Sequence, residues 1–217
     1  RIRIPEYILK RCLINRNEDR VMNDHKGFFA MMARMKYIER WALMRNSVSE
    51  NICEHSLEVA MLAHGLGIIG RKRFGKDLSP ERLAMLGMYH DCTEIITGDM
   101  PTPVKYANDE LKEAYKAIED SAAHRLLEML PEDLRAEYES YFLPEQITPE
   151  EYRYVKAADK LSALIKCIEE EKTGNQEFRS AKQATYESLQ QMNMPEVTVF
   201  CEVFLPEYYK TLDELEH

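Results

Sequence analysis

Apolar residues recur along the chain at the three- and four-residue spacing of amphipathic helices. Between Lys26 and Leu43, for example, Phe29, Met32 and Met35 share one helical face. Glycine is sparse, at 8 residues, and alternating runs of β-branched residues are nearly absent. The pattern therefore predicts an all-α fold. The predicted helices are Lys26–Leu43, Asn51–Gly67, Ser79–Gly98, Asn108–Pro131, Thr148–Gly174, Ala181–Met192 and a last helix that begins near Pro195 and breaks at Pro206.

Helix start signals support these boundaries. Ser79 precedes Pro80, which is the combination of an N-cap serine with proline at the first helical position. Thr148 and Glu151 have the spacing of a capping box around Pro149. No internal repeat, low-complexity tract or long linker divides the chain, so we expect a single domain over residues 26–214.

The two ends are expected to lie outside this domain. Residues 1–25 are predicted to be an N-terminal extension, of which residues 1–21 are basic and lack the apolar segment of a signal peptide. They are either a non-native leader or an additional helix through Ile4 to Ile14. Residues 215–217 are typical of the remnant of a purification tag, so His217 is no candidate ligand.

Charge and composition narrow the class of protein. The 217 residues are 45% hydrophobic and 31% charged, which is typical of a folded globular protein. The formal net charge of −9 disfavours binding to long nucleic acid, which usually requires a basic surface. An acidic enzyme can still bind a nucleotide where positive charge is concentrated in its pocket.

The cysteines and the hydropathy indicate a compartment. The five cysteines are scattered and form no Cys-x-x-Cys pair, which predicts free thiols in the cytoplasm and not a disulfide framework or a structural zinc site. No uninterrupted run of about 18 apolar residues is present, so we expect no membrane span.

Candidate chemistry centres on the adjacent pair His90-Asp91. A second histidine, His55, lies upstream, and Asp159 lies downstream, each within a predicted helix and beside apolar residues. Singly, such histidines are more typical of a satisfied core, and such an aspartate of a surface charge. Two imidazoles and two carboxylates from three helices would together form a mixed nitrogen and oxygen site for one divalent first-row metal.

The order His…His-Asp…Asp resembles that of the HD-domain metal-dependent phosphohydrolases. Longer stretches, Arg40-Trp41-Ala42-Leu43-Met44-Arg45, Glu54-His55-Ser56-Leu57 and the segment from Gly98 to Tyr106, are similar to bacterial 5′-deoxynucleotidases of the YfbR type. The resemblance runs from about Lys26 to about Leu212. It implies a single HD-domain helical bundle that hydrolyses deoxyribonucleoside 5′-monophosphates to deoxynucleoside and phosphate, and that forms a homodimer.

The resemblance also assigns the metal ligands and a base. His55, His90, Asp91 and Asp159 would bind one divalent transition metal, such as cobalt or manganese. His25, His64 and His124 match no motif, which favours one metal over two. Helical spacing places Glu94 about one turn, roughly 5.4 Å, beyond His90 on the same face, and the family has a catalytic glutamate there.

Substrate contacts are implied at two further places. Arg40, at the end of the first predicted helix, would orient the 5′-phosphate, and Trp41 would pack on the sugar. The loop after Gly98 would contact the substrate, with Asp99 assisting the leaving oxygen. The full implied substrate-binding set is Arg40, Trp41, Asp91, Asp99, Met100, Pro101, Thr102 and Asp159.

Two alternatives stay open at the level of sequence. One is a different HD-type hydrolase, for a nucleoside triphosphate, a cyclic dinucleotide or an alarmone, although the Gly-Tyr-Pro motif of the cyclic-dinucleotide enzymes is absent. The other is a degenerate HD domain that only binds a nucleotide or a protein. The presence of all four candidate ligands together with Glu94 argues against such decay.

Overall fold

The computed structural model describes residues 26–105 and 107–216, without the side chain of Thr102. The predictions for residues 1–25, including His25, and for His217 lie outside the described residues. Every regular element described is a helix, and this confirms the all-α prediction. The α-helices are α1 (Phe28–Met32), α2 (Ile52–Phe74), α3 (Pro80–Tyr89), α4 (Glu94–Thr97), α5 (Thr102–Lys105), α6 (Asp109–Leu127), α7 (Glu132–Phe142), α8 (Pro149–Lys172), α9 (Arg179–Gln191), α10 (Pro195–Val203) and α11 (Leu212–Leu215), with 3₁₀ helices at Ala33–Tyr37, Pro144–Gln146 and Leu205–Tyr209.

Local capping explains where several helices begin. The Ser79 hydroxyl accepts a hydrogen bond from the Arg82 N–H at the start of α3. Thr148 and Glu151 form the predicted capping box of α8, with each side chain accepting from the other residue's N–H. These starts were predictable because the capping groups lie within three residues of the N–H groups that they satisfy.

The first predicted helix is wrong beyond Tyr37. Ile38 is extended, and the Arg40 N–H donates to the Glu50 carbonyl at 2.9 Å, while the Ile52 N–H donates to the Ile38 carbonyl at 3.0 Å. Pairing with the segment just before α2 therefore replaces the helical hydrogen bonds. Arg40 and Trp41 lie in a loop, not at the end of a helix.

Two other boundaries also differ from the prediction. Helix α2 continues past Gly67 to Phe74 and ends where Gly75 adopts a left-handed conformation, with φ of +64°. Helix α3 stops at Tyr89. In the turn that follows, hydrogen bonds join residues three apart and not four, as from the Cys92 N–H to the Tyr89 carbonyl at 3.1 Å. Helix α7 had no counterpart in the sequence prediction.

Helix α2 contributes to both of the buried clusters that make up the core, and α8 contributes to one of them. One contains Val59 and Leu66 of α2 together with Leu161 of α8. The other contains Phe28 and Ile52 with residues of α6 and α7. Since Ile52 belongs to one cluster and Val59 to the other, the α2 turn between them lies at the junction of the two.

By length and composition alone, α2 could cross a membrane. Its most apolar segment is 56% buried inside the described fold. Such burial is typical of the core helix of a folded domain, and it explains the apolar composition.

Helices α2 and α3 approach each other closely at Gly87. A Cβ atom placed there would lie 3.0 Å from the Ala60 Cα and 3.1 Å from the Ala60 N. Because these are backbone atoms of a buried helix, they cannot move aside cheaply. Gly87 therefore sets the distance between the two helices.

We expect Gly87→Ala to destabilise the protein by about 1–3 kcal/mol through overpacking. The matched control is Gly65→Ala, also inside a helix, where an added Cβ meets nothing within 4 Å. That variant is expected to gain up to about 1 kcal/mol from helix propensity. Denaturant unfolding measures both, and equal stability of the two variants would refute the close-contact argument.

Candidate metal centre

The structure brings the four predicted ligands together. The Nε2 atom of His55 lies 3.4 Å from the Oδ2 atom of Asp91 and 3.3 Å from the Oδ1 atom of Asp159. The Nε2 atom of His90 lies 3.1 Å and 4.0 Å from the same two oxygens. Two nitrogens and two oxygens thus face one another across a single small space.

Three helical regions supply these groups. His55 lies in the first turns of α2, at the junction of the two core clusters, and is 1% exposed. His90 and Asp91 follow directly after α3, and Asp159 lies in the middle of α8. Asp159 therefore belongs to the cluster and is not an isolated surface charge, which is the commoner role of an aspartate on a helix.

Hydrogen bonds on the far side of each ring orient the two imidazoles. His90 donates from Nδ1 to the Gly87 carbonyl at 2.8 Å. The Ser162 hydroxyl donates to Glu58 at 2.5 Å, so it accepts from the Nδ1–H of His55, 3.0 Å away. With Nδ1 as the donor on both rings, both Nε2 atoms are directed into the site.

The residues present fit a divalent transition metal. Both Nε2 atoms are buried, and neither has a hydrogen-bond partner within the described part of the chain. Buried polar atoms are seldom left unpaired. Paired imidazole nitrogens and carboxylate oxygens are the donors that first-row divalent ions accept. His64 and His124, which are also described, lie outside this cluster.

The electrostatics of the site favour a cation. Burial alone would lower the pKa of His55, but the carboxylates of Asp159, Asp91 and Glu50 outweigh burial and raise the pKa to about 10. Burial alone would likewise raise the pKa of Asp159, yet Lys156 and the imidazoles hold it below its usual range. The cluster thus stabilises positive charge at its centre.

Lys156 is a neighbour of the site that no motif had indicated. Its Nζ lies 3.1 Å from the Oδ2 atom of Asp159, one helical turn away on α8. The negative charge of Asp159 raises the pKa of Lys156. The Oδ1 atom of Asp159 faces the imidazoles, while Lys156 neutralises the negative charge on the side of Oδ2.

Arg40 and Trp41 join the site from their loop. The Nη1 atom of Arg40 lies 3.5 Å from the Oδ2 atom of Asp91, and its Nε lies 3.4 Å from Glu50. The Trp41 indole N–H donates to the other Glu50 oxygen at 2.8 Å. Burial alone would raise the pKa of Glu50, but His55, Arg40 and Trp41 lower it.

Trp41 has an unusual backbone conformation. Its φ is +59°, in the left-handed region that a bulky residue seldom adopts and that costs about 1–3 kcal/mol. The Trp41 carbonyl accepts from the Met44 N–H at 2.8 Å, and its ring meets the buried Phe178 edge-on at 5.3 Å. The surrounding contacts therefore impose this conformation.

Glu94 lies beside the cluster, although the helical argument for it was wrong. It begins the separate helix α4 after a tight turn, in which its N–H donates to the Asp91 carbonyl at 3.0 Å. Its side chain is 6% exposed, and its Oε2 has no hydrogen-bond partner among the described residues. Burial, and then the charges of Asp91 and Asp99, raise its pKa to about 9.

The predicted substrate loop follows α4. Burial raises the pKa of the Asp99 carboxyl, which lies near Arg40 and Asp91 and accepts a hydrogen bond from the Trp41 backbone N–H. Met100 and Pro101 are half-buried, and the Pro101 carbonyl caps the turn of α5 by accepting from Val104 N–H at 2.8 Å. Asp99 thus joins the site, while the Thr102 side chain lies outside the description.

Sequence reasoning missed several groups that contact the predicted residues. Lys156 had a usable signal, because it is three residues before Asp159 on one helix. Glu50, Glu58 and Ser162 had none, since tertiary contacts alone bring them to the site.

The expectation of free thiols agrees with the structure, in which the described cysteines, Cys53, Cys92, Cys167 and Cys201, are unpaired.

Comparisons with known proteins agree with this geometry at the level of fold. An HD-domain phosphohydrolase from Listeria innocua superposes with a TM-score of 0.73 at 22% identity, over 87% of this chain and 91% of that one. An HD phosphohydrolase of cyanophage S-2L, DatZ, superposes with a TM-score of 0.57 at 20% identity, over 80% of this chain and 93% of that one. The DatZ structure has dA and one catalytic Zn²⁺ ion bound.

Sequence comparison is more specific. Residues 27–208 match the profile of the family described as 5′-deoxynucleotidase YfbR-like. A 5′-deoxynucleotidase of Vibrio cholerae is 48% identical over 188 residues, which are 87% of this chain and 97% of that protein. The 5′-deoxynucleotidase YfbR of Shigella boydii is 46% identical over 87% of this chain and 94% of its own length. The chain therefore belongs to the YfbR-like 5′-deoxynucleotidase family.

Proposed function

We propose that the protein is a metal-dependent phosphomonoesterase that hydrolyses deoxyribonucleoside 5′-monophosphates to deoxynucleoside and phosphate. The observation that carries the proposal is the convergence of the two imidazoles and two carboxylates, with the Arg40 guanidinium 3.5 Å from Asp91. The proposal agrees with the names of the relatives that match nearly the whole domain.

His55, His90, Asp91 and Asp159 would hold one divalent ion, such as cobalt or manganese. When bound, such an ion supplies positive charge for the phosphoryl oxygens and lowers the pKa of water. The nitrogen donors favour a transition metal over a hard ion such as calcium. Lys156 and Arg40, on the two carboxylates, limit the repulsion between them before and after the ion binds.

The remaining groups act on the substrate. Arg40 orients the phosphate with its planar guanidinium and stabilises the charge that develops there. Glu94 takes a proton from the attacking water, since its side chain is buried beside the cluster and its Oε2 has no hydrogen-bond partner among the described residues. Asp99, next to Arg40, assists departure of the 5′-oxygen.

Trp41 selects the sugar. The Arg40 guanidinium lies 5.9 Å from the centre of the Trp41 ring, which supports a sugar contact of the indole next to the proposed phosphate site. A rigid ring with no room for the 2′-hydroxyl would leave that hydroxyl crowded and unpaired. Met100, Pro101 and Thr102 would complete the substrate wall, with Asp91 and Asp159 also in contact with the substrate.

We further propose a cytoplasmic homodimer that binds neither long nucleic acid nor a membrane. An exposed apolar stripe on α2, made of Leu57, Met61 and Ile68, is available for contact with a second copy. The net charge of −9 supports the proposal that the protein does not bind long nucleic acid. The free cysteines support the cytoplasmic location.

Chelation followed by removal of the chelator is expected to abolish phosphate release from deoxynucleoside monophosphates. Re-addition of cobalt or manganese should restore it, and calcium should not. His90→Ala should give the same loss with reduced metal content, whereas His124→Ala, at an exposed histidine on α6, should behave as wild type. Full turnover by protein shown to be metal-free would refute the metal-dependent mechanism. Phosphate release from nucleoside triphosphates but not from monophosphates would refute the proposed substrate class.

Glu94→Gln should retain the metal and the substrate but lose turnover. Loss of a general base typically lowers kcat by about 10²–10⁴-fold. Asp159→Ala should instead lower the metal affinity itself. Metal content and kcat, measured on the same preparations, separate the two effects, and a near-normal kcat in metal-loaded Glu94→Gln would exclude Glu94 as the base.

The wild type is expected to prefer deoxyribonucleotides, and Trp41→Ala should narrow that preference. Arg40→Ala should lower activity on both sugars alike, because both substrates carry the same phosphate. Arg45→Ala, at an exposed arginine of the same loop, serves as the control. The measurement is kcat/KM for paired ribo- and deoxyribonucleotides of one base. An unchanged ratio in folded, active Trp41→Ala would move sugar selection elsewhere.

A further inference from the structure

The Glu50 carboxylate connects three parts of the site. One oxygen, Oε2, accepts the hydrogen bond of the Trp41 indole at 2.8 Å. The other, Oε1, lies 3.4 Å from the Nε of Arg40 and 3.4 Å from the Nδ1 of His55. The group is largely buried, with 13% of its side chain exposed. The residues proposed to contact the sugar, the phosphate and the metal, which are Trp41, Arg40 and His55, therefore all contact this one side chain.

We infer that Glu50 is a positioning residue that determines sugar selectivity, because its carboxylate fixes the Trp41 indole relative to Arg40. The inference rests on the proposed function, since it assigns to Glu50 the orientation of a ring that is itself proposed to face the sugar. Glu50 acts through Trp41 and does not touch the substrate.

The indole depends on this contact. Trp41 has a left-handed backbone, and its ring contacts are an edge-on approach to Phe178 at 5.3 Å and the Arg40 guanidinium at 5.9 Å. Neither contact fixes rotation of the ring as a directed hydrogen bond does. Without an acceptor for its N–H, the ring would have to turn toward water or leave the N–H unpaired.

The rest of the loop is held independently. At its far end the Glu170 carboxylate accepts from the Ser47 N–H at 2.9 Å, and the Lys166 ammonium donates to the Val48 carbonyl at 2.6 Å. A change at Glu50 should therefore alter the Trp41 ring without releasing the loop. A purely structural role would instead appear as a general loss of stability.

Glutamine cannot replace this carboxylate. Its amide has one acceptor oxygen and one NH₂ group, whereas the indole N–H and the Arg40 guanidinium on the two sides of the carboxylate are both donors. If the amide oxygen accepts from the indole, the NH₂ group faces Arg40. If the oxygen faces Arg40, the indole loses its acceptor.

The test is a double-mutant cycle with Glu50→Gln and Trp41→Phe, read as the ratio of kcat/KM for paired deoxyribo- and ribonucleotides. In the wild-type background, Glu50→Gln should lower the ratio about tenfold. Trp41→Phe removes the indole N–H, so in that background Glu50→Gln should leave the ratio within about twofold. An equal drop of the ratio in both backgrounds, or no drop in either, would overturn the inference.

A second readout needs no catalysis. Trp41 is the single tryptophan of the chain, so intrinsic fluorescence reports on this ring alone. Glu50→Gln should shift its emission to longer wavelength and increase quenching by acrylamide, with metal content and thermal stability measured alongside. The matched control is Glu54→Gln, which removes the same charge from an exposed position of α2 and keeps the capping box.

The outcomes separate the two proposals. A wild type that releases no phosphate from any deoxynucleotide would refute the proposed function, while an altered emission in Glu50→Gln would still show that Glu50 positions the indole. An active, selective wild type whose emission and ratio are both unchanged by Glu50→Gln would overturn the role of Glu50 alone. Equal emission changes in Glu54→Gln would do the same.

Discussion

Two half-buried aspartates share the same pair of imidazoles at the centre of this protein. Asp91 and Asp159 each approach the Nε2 atoms of His55 and His90, and two like charges so close together are unfavourable without positive charge nearby. Arg40 contacts one carboxylate and Lys156 the other. A divalent ion between the four ligands would neutralise the two carboxylates and would coordinate the two Nε2 atoms that have no hydrogen-bond partner in the described part of the chain.

The helices must pack closely for this arrangement to exist. Gly87 brings α3 against the backbone of α2 at Ala60, and its carbonyl also orients the His90 ring. The same glycine thus sets the distance between two helices and the direction of one ligand. By contrast, the groups proposed to meet the substrate, Arg40, Trp41 and Asp99, come from segments outside the long helices, where geometry depends on specific contacts.

Much of the fold was predictable because its signals are local. The N-caps at Ser79 and Thr148 lie next to the groups they satisfy, and the helical spacing of apolar residues correctly predicted α2, α3, α6 and α8. The continuation of α2 through Gly67 was not predictable from local signals, because this glycine lies inside the helix at a close approach to Pro80 and Leu83. The tight turn after Tyr89, which places Glu94 at the start of a separate helix, was not predictable either.

By itself the sequence determined the helical class, the family and the identity of the four candidate ligands, because motif and periodicity depend only on residue types and spacing. Tertiary structure alone decided that Arg40 and Trp41 lie in a strained loop, which pairing between Ile38 and Ile52 creates. It also brought Glu50 to the Trp41 indole. Such contacts join side chains from separately folded segments, and no local pattern of residues specifies the distance or direction of those contacts.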